Sequence, residues 1–264
     1  MAWLDDLRDI EDLEDAEFDP ELVAMFERRA MGQLLRPIRF STPTFKEYES
    51  SELEGCGKNS FPAFSITAGE CGLNCDHCQK KILEPMIPAT DPAMLEAKVR
   101  HLVETQQLSG FLLSGGSNRK NEIPYGRYMP VVEKLKADFP HLKIAVHSAL
   151  LDERRAKDME SAGVDTVMMD VIGANETIEQ VYKLRRPVED FEATLAALSS
   201  TSMEVTPHIV IGLHYGRILG EANALDMVSR YDVTALVLVV IMPFYAKPGT
   251  FVTPSTTDVG HIFA

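Results

Sequence analysis

ECGLNCDHCQK, residues 70–80, gathers three of the chain's four cysteines, Cys71, Cys75 and Cys78, at the spacing C-x3-C-x2-C. Four arrangements account for such a cluster. A structural zinc site wants four ligands, usually from two C-x2-C pairs. Here His77 is crowded between Cys75 and Cys78, and no second pair exists. A redox pair of Cys75 and Cys78 leaves Cys71 without a task. Three buried cysteines placed by chance would be an unusual concentration beside Gly72, Asn74 and Asp76. The fourth arrangement is an iron–sulfur cluster held by three thiolates, with one iron left open to a substrate or cofactor.

The cysteines follow an apolar run at 63–67, the first of six strand candidates; the others are 110–113, 143–147, 166–171, 205–211 and 236–241. Helical periods lie between them. Residues 92–107 put Leu95, Val99, Leu102 and Val103 on one side, and 129–139 show Val131, Val132 and Leu135. Residues 190–199 show Phe191, Leu195 and Leu198, and 221–231 show Leu225 and Val228. Continuous apolar strands alternating with helices imply an α/β fold with a parallel sheet covered by helices. That sheet is either open and doubly wound or a partial barrel. No Gly-rich dinucleotide fingerprint follows the first strand. The cysteine segment stands there instead, and in a barrel that is the face on which chemistry is built. Residues 1–60 read as an N-terminal helical arm, helical over 20–35, with a connecting segment; 61–264 read as the catalytic domain. Thr256, Thr257 and Asp258 resemble a helix N-cap region with only residues 259–264 behind it, so the chain reads as shortened at its C-terminus.

With 264 residues, 45% of them hydrophobic, the chain supports a sizeable core. A net charge of −14 argues against nucleic acid or an anionic membrane as the main partner. The acidic N-terminus has no apolar signal core, and the longest apolar run, 235–244, is too short to span a bilayer. Three clustered cysteines out of four are not a disulfide framework, and a reducing cytoplasm is the natural compartment.

C-x3-C-x2-C in the loop after the first strand of a β/α array resembles the radical S-adenosylmethionine (SAM) enzymes, and the likeness runs from about residue 61 to the end. It implies a partial (β/α)6 TIM-type barrel in which Cys71, Cys75 and Cys78 ligate a 4Fe-4S cluster. The open iron of that cluster chelates S-adenosyl-L-methionine, whose reductive cleavage yields a 5′-deoxyadenosyl radical that abstracts hydrogen from a substrate. The cofactors bring the hard chemistry, and the protein brings orientation and exclusion of water. Further residues are assigned by the same resemblance. Ser114-Gly115-Gly116-Ser117 is similar to the family's Gly-Gly-Glu, whose backbone orients the methionyl amino group, with Ser117 in place of Glu. Residues 207–212, PHIVIG, resemble the Gly-x-Ile-x-Gly segment against adenine; they place Ile211 and Gly212 there and His208 where the first Gly stands. Ile241-Met242-Pro243-Phe244, followed by Pro248-Gly249-Thr250, is similar to the biotin synthase pattern and puts Met242 at the adenine. His77 occupies the family's aromatic position. Asp170 is the candidate for the ribose hydroxyls, because a carboxylate accepts from both.

Ile38-Arg39-Phe40-Ser41-Thr42-Pro43 and the Pro-Gly-Thr element look like the biotin synthase and lipoyl synthase group. SITAGECGLNCDHC, LLSGGSNRKNEIP and PHIVIGLHYGRI resemble the radical subunits of two-component lipoyl synthases. That likeness implies sulfur insertion into an octanoylated carrier protein and a paralogous radical SAM subunit. A small-molecule substrate is the alternative to the carrier protein. An electron donor such as ferredoxin or flavodoxin and a second iron–sulfur cluster as sulfur source complete the expectation. Only Cys56, in Gly55-Cys56-Gly57, remains for that second cluster. Its other ligands then come from beyond the C-terminus, from another residue type or from a partner chain; equally, Cys56 is a free thiol in a Gly-flanked loop. His147, Ser148, His208 and His214 sit at or near strand ends, readable as site residues or as satisfied core histidines and loop groups. Lys183, Arg185 and Arg186 read as a solvated helix end ahead of a carboxylate or phosphate site. Two rivals stand beside sulfur insertion: a biotin-synthase-like mutase or methylornithine-type isomerase, and a non-catalytic iron–sulfur or electron-transfer protein.

Overall fold

A computed structural model describes residues 60–263 and, before them, only positions 24 and 41. The expected N-terminal arm, the connecting segment and Cys56 lie outside the described residues. Seven parallel strands form one sheet: β1 (Ala63–Ser65), β2 (Ile87–Pro88), β3 (Gly110–Ser114), β4 (Lys143–Ser148), β5 (Thr166–Asp170), β6 (Glu204–Ile211) and β7 (Val237–Val240). Their spatial order is β2-β1-β3-β4-β5-β6-β7. Six of these are the apolar runs. The seventh, β2, is a two-residue edge piece paired outside β1 through Phe64 and Ile87, too short to show any period. It is reached by the cysteine loop, with no α-helix between.

Burial decides between the two architectures. A doubly wound sheet carries helices on both faces and buries both. Here Val167, Met169, Val205, Ile209 and Ile211 are buried, while the alternating Met168, Asp170, Thr206, His208 and Val210 are only half-buried. Helices therefore cover one face, and the other is the lumen of a partial TIM-type barrel, not closed between β2 and β7.

Seven helices follow the strands among the described residues: α1 (Pro92–Thr105), α2 (Met129–Asp138), α3 (Glu153–Ser161), α4 (Asn175–Gln180), α5 (Val188–Ser199), α6 (Glu221–Ser229) and α7 (Thr256–Phe263). Helix α1 begins where Asp91 accepts from the Met94 amide at 2.8 Å, with Pro92 in the first turn. Helix α5 buries Phe191, Leu195 and Leu198, each removal from water contributing roughly 1.5–3 kcal/mol. Helix α3 buries only Ala156 and Met159, too thin a stripe to read as a period. Ser255, one residue before the expected cap, starts α7 by accepting from the Asp258 amide at 3.0 Å. No described helix is long and apolar enough to cross a membrane.

Candidate active site

The cysteine loop leaves β1 at the C-terminal ends of the strands. It is wound tightly: Ala68, Gln79 and Lys80 take left-handed φ values of 52°, 48° and 62°. The Gln79 amide donates to the Cys75 carbonyl at 3.0 Å and the Lys81 amide to the Cys78 carbonyl at 2.9 Å. All three thiols are free of disulfides. The sulfurs of Cys75 and Cys78 and a ring nitrogen of His77 lie within 4.8 Å of one another. Cys71 stands apart from that group, its Sγ 3.7 Å from the Ser117 carbonyl. A hydrogen bond from Cys75, opposed by burial and aided by His77, draws the Cys78 thiol well below its usual range. The same bond, reinforced by burial, drives Cys75 upward. His77 packs on the Tyr182 ring with centroids 4.9 Å apart, and its Nδ1 is buried without a hydrogen-bond partner.

The Gly115-Gly116 turn after β3 is where this loop rests. A Cβ on Gly116 would lie 2.0 Å from the Glu70 carbonyl oxygen and 2.6 Å from Cys71 Cα. The Gly116 amide donates to Thr67 Oγ1 at 2.7 Å, and the Ser117 carbonyl accepts from the Gly72 amide at 2.6 Å. Close approach at this turn is thus demanded by the chain's own cysteine loop. Ser117 serves it through a backbone carbonyl, which no side-chain motif could announce.

Asp76, inside the motif, is a further site residue that pattern reading missed. It is 6% exposed. Its Oδ2 accepts from Tyr215 Oη and pairs with Lys183 Nζ, both at 2.9 Å. Its amide donates to the Val181 carbonyl at 2.9 Å, and its carbonyl accepts from the Lys247 amide at 2.8 Å. One residue thus ties the loop to the α4–α5 connection, the turn after β6 and the segment after β7. Lys183 and Tyr215 both hold left-handed φ values, 56° and 57°. This corrects the reading of Lys183 as part of a solvated helix end; Arg186 does pair locally, with Asp190 at 2.9 Å. Burial works to raise the Asp76 carboxyl, but the bonds from Lys183 and Tyr215 outweigh it and hold the carboxyl below 3.8. A depressed folded pKa gives stability that is full above the unfolded value and is lost as pH falls through the folded one. Asp76→Asn should therefore cost about 1 kcal/mol at neutral pH, Lys183 being half-exposed. The gap from wild type should narrow as pH falls through the depressed value of this carboxyl, as read by urea unfolding at stepped pH.

On the lumen face, β4, β5 and β6 bring together His147, Asp170 and His208. His147 Nε2 is 3.7 Å and His208 Nδ1 4.0 Å from Asp170 Oδ1, and Tyr182 Oη donates to Asp170 Oδ2 at 3.4 Å. Burial acts to raise Asp170, yet the neighbouring His147 lowers it below the carboxylate range. Burial acts to lower His147, and Asp170 raises it. Burial, then the charge of His147, brings His208 down to about 4 against the pull of Asp170.

The remaining expected residues scatter. His214 is buried and bonded to Thr177 at 3.1 Å, the satisfied core histidine. Ser114 and Ser148 are buried at the ends of their strands. The Ile211 side chain is fully buried on the helix-covered face, and its carbonyl accepts from the Ile241 amide at 3.0 Å. Gly212 takes φ 79°, and a Cβ there would lie 2.2 Å from Pro254 Cγ. Met242, just past β7, is half-buried.

A parallel partial barrel with three free thiols in the loop after its first strand defines a β/α scaffold built around an iron–sulfur donor set. Residues 65–218, more than half of the chain, match the sequence profile of the Radical SAM superfamily, and the chain belongs to it. No curated protein sequence matches. Among solved structures the chain is similar to methylornithine synthase (PylB), with TM-score 0.56 and 12% identity over 76% of this chain and 61% of that one. It is similar to HydG, a maturase of the FeFe-hydrogenase, with TM-score 0.58 and 14% identity over 76% of this chain and 48% of that one. A third similar structure is anSMEcpe, solved with bound AdoMet, with TM-score 0.51 and 14% identity over 75% of this chain and 56% of that one. At such identities the likeness is one of fold, and the chain spans 61% and 48% of the first two.

Proposed function

We propose that this radical SAM protein reductively cleaves S-adenosyl-L-methionine at a 4Fe-4S cluster held by Cys71, Cys75 and Cys78. The resulting hydrogen abstraction then serves sulfur insertion into protein-bound octanoyl chains. The observation that carries the first half is the loop itself: three free soft donors at the mouth of a partial barrel, and no fourth cysteine among the described residues. The donor set fits a three-thiolate cluster, and the unpartnered His77 Nδ1 marks the same place as unsatisfied without one. When bound, the cluster supplies the electron that breaks the sulfonium bond and releases a 5′-deoxyadenosyl radical. The chain's own part is positional. Asp76 and Ser117 fix the loop, and the His77–Tyr182 stack walls one side. Gly115 and Gly116 keep the turn beside Cys71 free of side chains, and Met242 offers an apolar surface for adenine.

The second half rests on the likeness of residues 65–78, 112–124 and 207–218 to the radical subunits of two-component lipoyl synthases. A paralogous radical SAM subunit is the proposed partner. Its natural place is the open side beyond β7, where Val239 and Phe244 are 40% and 59% exposed. An octanoylated carrier protein is the proposed substrate, a ferredoxin or flavodoxin the electron donor, and a second cluster the sulfur source, its ligands lying outside the described residues.

The test is anaerobic reconstitution with iron and sulfide, then reductant, SAM and an octanoyl-lysine peptide, with and without a paralogous subunit. About four irons per chain, or about eight with a second cluster, together with 5′-deoxyadenosine and a thiolated peptide, are the expected products. 5′-Deoxyadenosine with the peptide untouched under every condition, and turnover of a small molecule by rearrangement, would replace sulfur insertion by an isomerase. A full cluster that never cleaves SAM would leave an iron–sulfur protein without radical chemistry.

A further inference from the structure

We propose that His147, Asp170 and His208 form a mononuclear site for a divalent transition-metal ion in the barrel lumen, separate from the cysteine cluster. The residues come from three adjacent strands whose register is fixed by the sheet: His147 pairs with Met168 on β5, and Asp170 with His208 on β6. Side chains alternate faces along a strand, so Asp170 and Met168 share the lumen face, and His147 and His208 join them by register. The ligand atoms of all three lie within 4.8 Å of one another.

The distances suit a metal better than direct hydrogen bonds. Nitrogen–oxygen separations of 3.7 and 4.0 Å exceed hydrogen-bond length. Ligands about 2.1 Å from a tetrahedral ion stand about 3.4 Å apart. The ring centroids of His147 and His208 are 5.4 Å apart and tilted by 52°, so both imidazoles aim at Asp170 without stacking face to face.

The carboxylate is already divided between two tasks. Oδ2 takes the Tyr182 hydroxyl at 3.4 Å, which leaves Oδ1, the atom both histidines approach, for the ion. A hydroxyl on the second carboxylate oxygen is the outer partner that orients a metal-binding carboxylate. Two imidazoles and one carboxylate are a donor set used by zinc and by non-haem iron, with the remaining positions open. Those positions face the half-exposed lumen, where an oxygen or sulfur atom of a substrate has access. Tyr182 also stacks on His77, so the two sites share a wall.

The test uses the cluster-loaded full chain, whose cysteines are then closed to added metal. It is dialysed against zinc sulfate, desalted over a weak chelating resin, and zinc and iron are counted separately. About one zinc per chain is expected. His147→Ala, Asp170→Asn and His208→Ala should each weaken zinc binding by at least about 100-fold at unchanged iron content. No retained zinc in the wild-type chain, or equal zinc in all three ligand variants, overturns the site. Loss of SAM binding in Asp170→Asn with no zinc in the wild type would overturn it too and assign Asp170 to the ribose. Unchanged iron shows that the variants fold. 5′-Deoxyadenosine formation is read separately, so failure here and failure of the radical reading leave different signatures.

Discussion

Cys71→Ala, Cys75→Ala and Cys78→Ala should each reduce 5′-deoxyadenosine formation by at least about 10³-fold, the pattern of a unit whose members fail together. His77→Phe should keep the cluster. This contrast has force because the geometry sets the two residues against each other. His77, not Cys71, shares the 4.8 Å group with Cys75 and Cys78, so proximity taken alone would name His77 as third ligand. Chemistry points the other way. A thiolate is the softer donor and the usual cluster ligand, and the His77 ring packs against Tyr182 at a tilt of 36°, a packing role phenylalanine also fills. Iron per chain and the visible charge-transfer absorbance report the cluster, and chromatography reports 5′-deoxyadenosine. A Cys71→Ala protein that keeps about four irons and cleaves SAM, with His77→Phe empty, would exchange the two assignments. Cys56→Ala should leave SAM cleavage intact, because that thiol belongs to none of the three cluster positions.

The cysteine spacing and the six apolar runs were legible because each is local: thiols within a few residues, and β-rich stretches long enough to contrast with helical periods. The choice between a barrel and a doubly wound sheet was not local. It turns on whether Asp170, His208 and Thr206 face helices or an open lumen, and only the assembled sheet settles that. β2 was invisible because two residues carry no period, and α3 because Ala156 and Met159 are a narrow apolar stripe in a polar run. In the site, the residues pattern reading missed act through the backbone or across long separations. Asp76 meets Tyr215 across 139 positions, and Ser117 contributes a carbonyl that every residue type possesses. Lys183 was misplaced for the same reason: a lysine at a helix end reads as solvated until its carboxylate partner arrives from another loop.

Gly116→Ala separates two reasons for the same glycine. If the turn is bare so that SAM's amino group approaches the backbone, a methyl group there leaves the cluster in place and removes SAM binding. If it is bare for the cysteine loop, the cluster itself fails. The contacts favour the second. A Cβ would meet the Glu70 carbonyl oxygen at 2.0 Å and Cys71 Cα at 2.6 Å. Both are main-chain atoms, and no flexible side chain can yield. The loop must shift, which strains the bonds from Gly72 to Ser117 and from Gly116 to Thr67 and displaces Cys71 from its partners. Overpacking of this kind costs about 1–3 kcal/mol, or a fall of roughly 5 °C in the thermal midpoint of the cluster-free chain. The larger effect is on ligation, where a misplaced ligand should lower cluster content by more than about 10-fold. Two neighbours calibrate the result. Gly115→Ala brings its Cβ 2.9 Å from Ile66 Cγ1, a side-chain atom that can rotate away, and Gly126→Ala meets nothing within 4 Å. Iron content should therefore fall in the order Gly126→Ala, Gly115→Ala, Gly116→Ala, the last nearly empty. A Gly116→Ala protein with full iron content that no longer binds SAM would give the turn to the cofactor.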